Sequence, residues 1–176
     1  FAFLPGFSTE TDPQGHTTTY FFDERNRCTR SVDPLGHVIQ KEYDLWDNLC
    51  KIINAEGGAT ILQYGTNNLP IYVADPENHA VRMEYDSQER LVTLKGPLGE
   101  TYRYTWNATH HLTEVMDPES NVVKLTWNSN LLGAITNAMG QGMNLVYDFQ
   151  GNVTEIHLAD GTVLTNEYTT VGDLSQ

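Results

Sequence analysis

Aromatic side chains return through this chain at a fixed interval. They stand at Phe1, Phe22, Tyr43, Tyr64, Tyr85, Trp106, Trp127, Tyr147 and Tyr168, in steps of 21 residues with one step of 20 after Trp127. A self-similarity of this period restricts the chain to a repeat architecture, in which each unit buries its apolar surface against the next. Most of the rings are followed by a short polar residue: Asp23, Asp44, Asp86, Asn107, Asn128 and Asp148. Ala2, Gly65 and Thr169 are the exceptions. Seven residues ahead of the rings stand Gly15, Gly36, Gly57, Asn78, Gly99, Ser120, Gly140 and Gly161. Asp12-Pro13, Asp33-Pro34, Asp75-Pro76, Gly96-Pro97 and Asp117-Pro118 precede five of these.

Between the glycine and the ring the sequence alternates. Two and four residues before the ring come pairs such as Leu62 and Thr60, Met83 and Val81, or Leu125 and Val123, whereas the residue just before it is mostly polar, as at Glu42, Gln63 and Glu84. Period two over seven residues predicts a strand with one buried face. A second strand is predicted over Leu49–Ile53, Leu91–Lys95, Leu112–Met116 and Val153–Leu158. Its apolar residues lie three apart (Leu49 and Ile52, Leu112 and Val115, Val153 and Ile156), so a bulge or bend is expected there. Each repeat is therefore a β-hairpin. The ring-Asp segment makes one turn and D-P-x-G the other, where Pro sets φ and Gly accepts a positive φ.

Two strands at about 4.8 Å advance the sheet by roughly 10 Å per repeat, so eight repeats make a strip on the order of 80 Å long. Such a strip is expected to curl into a spiral wall that covers its apolar face. The expected organisation is one repeat segment over residues 1–176, with no second domain. Phe1 and Leu174 both fall mid-repeat, so the segment reads as part of a longer array whose bare strand edges promote self-association.

Charge narrows the function classes. Ten Lys and Arg against 23 Asp and Glu leave a net charge of −13, which disfavours nucleic acid and anionic membranes. No apolar run is long enough for a membrane-spanning helix or a signal peptide. Cys28 and Cys50 are expected to be free thiols of a reducing compartment, a single bridge being the alternative. They lie six and seven residues past their rings, which tends to point them to opposite faces.

The segments D-P-L-G-H-V-I-Q-K-E-Y-D (Asp33 to Asp44) and D-P-E-N-H-A-V-R-M-E-Y-D-S-Q-E-R-L (Asp75 to Leu91) resemble the RHS or YD repeats of bacterial polymorphic toxins, toxin-complex C components and teneurins. The resemblance runs through essentially the whole chain. It implies a β-hairpin spiral forming part of a large hollow shell that holds a C-terminal toxin polypeptide. The implied partners are the remainder of the shell, that encapsulated toxin and secretion-spike proteins. The implied route is synthesis in the bacterial cytoplasm, followed by secretion or delivery to a target cell. The family's self-protease segment, of D-P-x-G-L-x-G-G type, has no counterpart here, since ordinary repeat sequence follows each D-P-x-G, as at Gly15-His16 and Gly36-His37.

Three groups of residues invite a chemical role. Asp12 and Asp33 suggest a carboxylate pair, but equivalent atoms about 10 Å apart cannot share a proton, and turn capping is the expected role. His16, His37 and His79 share a repeat position, yet ligands on one zinc ion lie within roughly 4 Å of each other, which residues one repeat apart cannot satisfy. His110 and His111 occupy a turn, where adjacent side chains diverge. The aromatic column could stack sugars, but it shares a face with the alternating apolar residues and is expected to be core. No catalytic, metal or cofactor residue is therefore assigned, and no enzyme is expected. The reading is a structural wall segment of a toxin-encapsulating shell. An adhesion or glycan-binding YD-repeat module is the alternative. An enzyme would show polar residues clustered off the repeat phase, and none is found. Any part of the net charge facing the lumen would attract a basic cargo.

Overall fold

The computed structural model describes residues 6–169 and Leu174, so Phe1 and Ala2 of the aromatic phase lie outside the described residues. Two compact units are present: Phe1–Glu84 with Lys95–Gly99, and Tyr85–Leu94 with Glu100–Gln176. To the first belong β1 (Phe7–Thr11), β2 (Thr17–Phe22), β3 (Cys28–Val32), β4 (Val38–Tyr43), β5 (Leu49–Ile53), β6 (Ala59–Tyr64), β7 (Pro70–Ala74) and all of β8 (Ala80–Tyr85) but its last residue. To the second belong all of β9 (Leu91–Lys95) but its last residue, then β10 (Thr101–Trp106), β11 (Leu112–Met116), β12 (Val122–Asn128), β13 (Leu131–Thr136), β14 (Gly142–Tyr147), β15 (Val153–Leu158) and β16 (Val163–Thr165). Within each unit the strands lie in chain order, each hydrogen-bonded to the next in an open antiparallel sheet. No helix occurs among the described residues.

The bulge expected from the three-residue spacing sits at one repeated place. Tyr43 pairs with Leu49 while Glu42 pairs with Lys51, leaving Cys50 as an extra residue. The same shift leaves out Thr29, Ile71, Thr113, Gly133 and Thr154. One extra residue moves the strand half a pleat, so Leu49 and Ile52 come to lie opposite Tyr43 and Lys41, on one face. Cys28, opposite Phe22, and Cys50 are free thiols.

Both turn types close in one way. In the D-P-x-G turn, the Asp12 N–H donates to His16 O and the Gly15 N–H to Asp12 O, with Gly15 at φ 88°. The ring-Asp turn repeats this frame from Asp23 to Arg27, with Asn26 at φ 60°. The left-handed position expected only of the glycine turn therefore recurs in the other, on Asp47, Asn68, Glu89 and His110. The 20-residue step reflects a shorter turn: Asn128 pairs with Leu131, so only Ser129 and Asn130 connect the strands.

The apolar face is shallower than the alternation suggests. Each unit is a single layer, and the aromatic column is half-buried rather than core. The residue four before the ring is often exposed, as Ile39 is at 40%. A side chain on a one-layer sheet is flanked by its neighbours but covered from above only by what those neighbours can reach across. Among the described residues the buried apolar ones are Ala74 and Ala80, at 3% and 8%, a cross-strand pair beside the turn of Asp75 to Asn78. They belong to the other face, in a seam of the first unit with Val32 and Val38 and with Ile53 and Ala59; the second unit has its own seam, with Met116 and Val122. In this seam Gly142 lies so close to the Ile135 carbonyl that a Cβ would overlap it. Gly142→Ala should destabilise the chain by about 1–3 kcal/mol through overpacking. Glu89→Gly should instead stabilise it by up to about 1 kcal/mol by relieving the left-handed residue. Urea denaturation of the two variants checks both signs.

Candidate functional site

Among the described residues, the aspartates and histidines weighed for chemistry lie in turns and the aromatic column on one face. In the first D-P-x-G turn, Asp12 Oδ1 accepts the backbone N–H groups of Gln14 and His16, each at 2.9 Å. Its Oδ2 meets His16 Nδ1 at 2.9 Å. Asp33 repeats all three bonds at 2.8 Å, with Leu35 and His37. Asp75 binds the backbone and ring of His79 at 2.7 and 2.9 Å. His16, His37 and His79 thus each face the aspartate of their own turn. Asn54, Asn107 and Asn137 make the same backbone caps, because the cap needs an acceptor oxygen and no charge.

The carboxylates are good anions and poor general acids. Hydrogen bonding from His16, led by its backbone N–H, holds Asp12 below the ordinary 3.8, and the His37 side chain does so for Asp33. A dyad sharing a proton needs one carboxyl raised, the opposite sign. Asp12, His16 and Asp33 do line one shallow depression with Pro34 and Leu35.

One grouping went unnoticed in the sequence. Ligand atoms of Asp75, Glu77 and His79 fall within 4.8 Å of one another inside a single turn. The spacing D-P-E-N-H carries that signal within one turn, whereas His16, His37 and His79 stand in different repeats. The group is mostly exposed, and both Asp75 oxygens already accept bonds from His79. A cation would have to displace the ring bond.

The ring-Asp turns reach forward into the next repeat. Asp23 caps Arg25 and Arg27 and pairs with the Arg27 guanidinium at 2.7 Å. Arg27 Nη1 in turn donates to Asp44 O and Asp47 Oδ1, with its guanidinium 4.8 Å from the Tyr43 ring. Arg90 repeats this with Asp86, Asn107 O and the Trp106 ring. His111 stacks on Trp127 at 4.5 Å and 13°. The guanidinium bonds of Arg27 and Arg90 hold Asp23 and Asp86 below the usual carboxylate value.

The ring tips are engaged as well. Tyr43, Tyr64, Tyr147 and Tyr168 donate their hydroxyls to the carbonyls of Cys28, Leu49, Leu132 and Val153, at 2.7–3.0 Å. Trp106 and Trp127 donate their indole N–H to Leu91 O and Leu112 O at 2.8 Å. Rings committed edge-on to backbone in this way are not a free ladder of sugar platforms.

Charge is partitioned between turns and strands. Of the 23 carboxylates, Glu10, Glu42, Glu84, Glu114 and Glu155 lie in strands. Seven of the ten Lys and Arg do: Arg30, Lys41, Lys51, Arg82, Lys95, Arg103 and Lys124. The acidity therefore belongs to the turns. The faces carry exposed pairs such as Lys51 with Glu42 at 3.0 Å and Lys124 with Glu114 at 3.7 Å. A depression lined by Val123, Ile135, Met143 and Leu158, with Asp160 also in its lining, opens on the second unit.

The RHS Repeat family is matched over residues 8–38, 22–59 and 85–122, in all just over half of the 176 residues. No curated protein matches the chain. Among solved structures it is similar to the TcdB2-TccC3 complex without its hypervariable C-terminal region, with TM-score 0.74 and 14% identity over 91% of this chain and 10% of that one. It is similar to the Photorhabdus luminescens Tc holotoxin pore carrying a TccC3 mutation, with TM-score 0.73 and 13% identity over 90% and 10%. The TcdB2-TccC3-Cdc42 structure gives TM-score 0.71 and 14% identity over 88% and 10%. At these identities the likeness is one of fold, and the chain spans about a tenth of each matched chain.

The lowered turn aspartates make a signed prediction. A carboxyl whose folded value lies below its unfolded one contributes stability above about pH 4, and that contribution is lost as the pH falls through the folded value. Melting temperature should therefore fall as the pH drops from 4 to 2.5. Asp86→Asn, which keeps an acceptor for the backbone cap, should lose less over that window than the unaltered chain. Melts followed by circular dichroism check this.

Proposed function

The chain belongs to the RHS-repeat family, and on that premise we propose that it is a structural segment of the spiral wall of a toxin-encapsulating shell, with no chemical step at any of its residues. One observation carries the reading. The Asp and His that share a turn make the same bonds in repeat after repeat, as with Asp12 and His16, Asp33 and His37, and Asp75 and His79, and Arg27 and Arg90 bond their turn aspartates alike. A solitary catalytic group breaks such a phase; wall residues keep it.

The partners in this reading are neighbouring repeats of the shell, an encapsulated C-terminal toxin polypeptide and secretion-spike proteins. The protein is made in a bacterial cytoplasm and then secreted or delivered. The wall confines its cargo by shape and surface. With most of the carboxylates outside the strands, a basic cargo is drawn to the turns rather than to the sheet faces.

In the full-length protein, Asp33→Ala, His37→Ala and His79→Ala should leave toxin release and delivery unchanged. Trp106→Ala should destabilise the shell by about 2 kcal/mol, since a half-buried ring loses roughly half of what a buried one does. It should also open the cargo to added protease. Loss of processing by Asp33→Ala in a shell that still assembles would show a catalytic aspartate and refute the passive wall.

A further inference from the structure

We propose that the bond from the ring tips of Tyr43, Tyr64, Trp106, Trp127, Tyr147 and Tyr168 to a carbonyl at the preceding bulge is the element that couples one repeat to the next, so that the array opens in segments where this donor is removed. Four observations converge. First, in five of the six bonds the acceptor is the residue paired with the preceding ring at its register shift: Tyr64 bonds to Leu49, the partner of Tyr43, and Trp127 to Leu112, the partner of Trp106, and the same holds for Tyr43, Tyr147 and Tyr168. The bulge disrupts the ladder at this point and frees a carbonyl to accept from another source.

Second, two chemically different groups reach this atom. A phenol hydroxyl and an indole N–H have different lengths and angles, yet both close to 2.7–3.0 Å. Burial alone would be met by phenylalanine or leucine; a shared bond requires a donor. Third, the contact survives a deletion. The turn after Trp127 is one residue short, and the bulge partner moves from the sixth residue after the ring to the fifth, Leu132. Tyr147 follows one residue early, and its hydroxyl still donates to Leu132 O at 2.7 Å. Fourth, among the described residues the buried apolar ones are confined to Ala74 and Ala80, so apolar burial leaves much of the coupling to directed bonds.

Amide hydrogen exchange of the intact chain tests this. Tyr64→Phe removes one oxygen and keeps the ring. It should speed exchange in β5, β6 and β7 by on the order of fivefold and leave β13–β15 unchanged. Tyr147→Phe should do the converse. Tyr20→Phe, which removes only a hydroxyl bonded to the exposed Glu10 carboxylate, should change neither region. Donor exchange in both directions, Tyr64→Trp and Trp106→Tyr, should hold exchange near that of the unaltered chain. The proposal is overturned if Tyr64→Phe behaves like Tyr20→Phe, if the rise spreads evenly over all strands, or if both donor exchanges are as fast as the phenylalanine variants.

Discussion

A carbonyl that a bulge releases from its ladder has to find a donor elsewhere, and the ringed face is organised around that requirement. The extra residue at Cys50, Thr113 or Thr154 turns apolar residues three apart onto the face of the ring. It also presents a backbone oxygen where the next tyrosine or tryptophan ends. One irregularity thus fixes which side chains share a face and what a following tyrosine or tryptophan bonds to. The column is best understood as a row of fasteners. Its half-burial is then no defect, because a tip bond needs the ring's edge placed and not its faces enclosed.

The turns complement this with electrostatics that stay local. An Asp or Asn oxygen accepts two backbone N–H groups, and where Asp is present its second oxygen faces His16, Arg27, Asn48 or Arg90. Arg27 and Arg90 extend each cap onto the next ring and the next turn carbonyl. Each pair is exposed or half-exposed and individually weak, and its value lies in repetition along the array. Collecting the acid in turns leaves strands in which basic residues outnumber acidic ones, seven to five. The sheet therefore has weakly charged faces bordered by acidic turns.

Much of the strand plan was legible beforehand. The segments Leu49–Ile53, Leu91–Lys95, Leu112–Met116 and Val153–Leu158 are strands as read, because alternation and breakers report local backbone directly. The bulge was legible for the same reason, as a period that slips by one. The left-handed Glu89 was not: glutamate does not favour that conformation, and the turn frame imposes it through its closing hydrogen bonds. Nor was the Asp75, Glu77 and His79 grouping read, since it depends on a tight turn folding positions two and four apart onto one side.

The residues by themselves determined the repeat, the hairpin, both turn locations and the slip in the second strand, because each is written in spacing along a single chain. Tertiary structure alone decided that Tyr43 reaches Cys28 and Trp106 reaches Leu91, and that the close-packed seam runs through Ala74 and Ala80 on the opposite face. It alone decided how far the rings are covered. These depend on distances between strands of different repeats and on how many layers a sheet has. Periodicity along one strand carries no term for either.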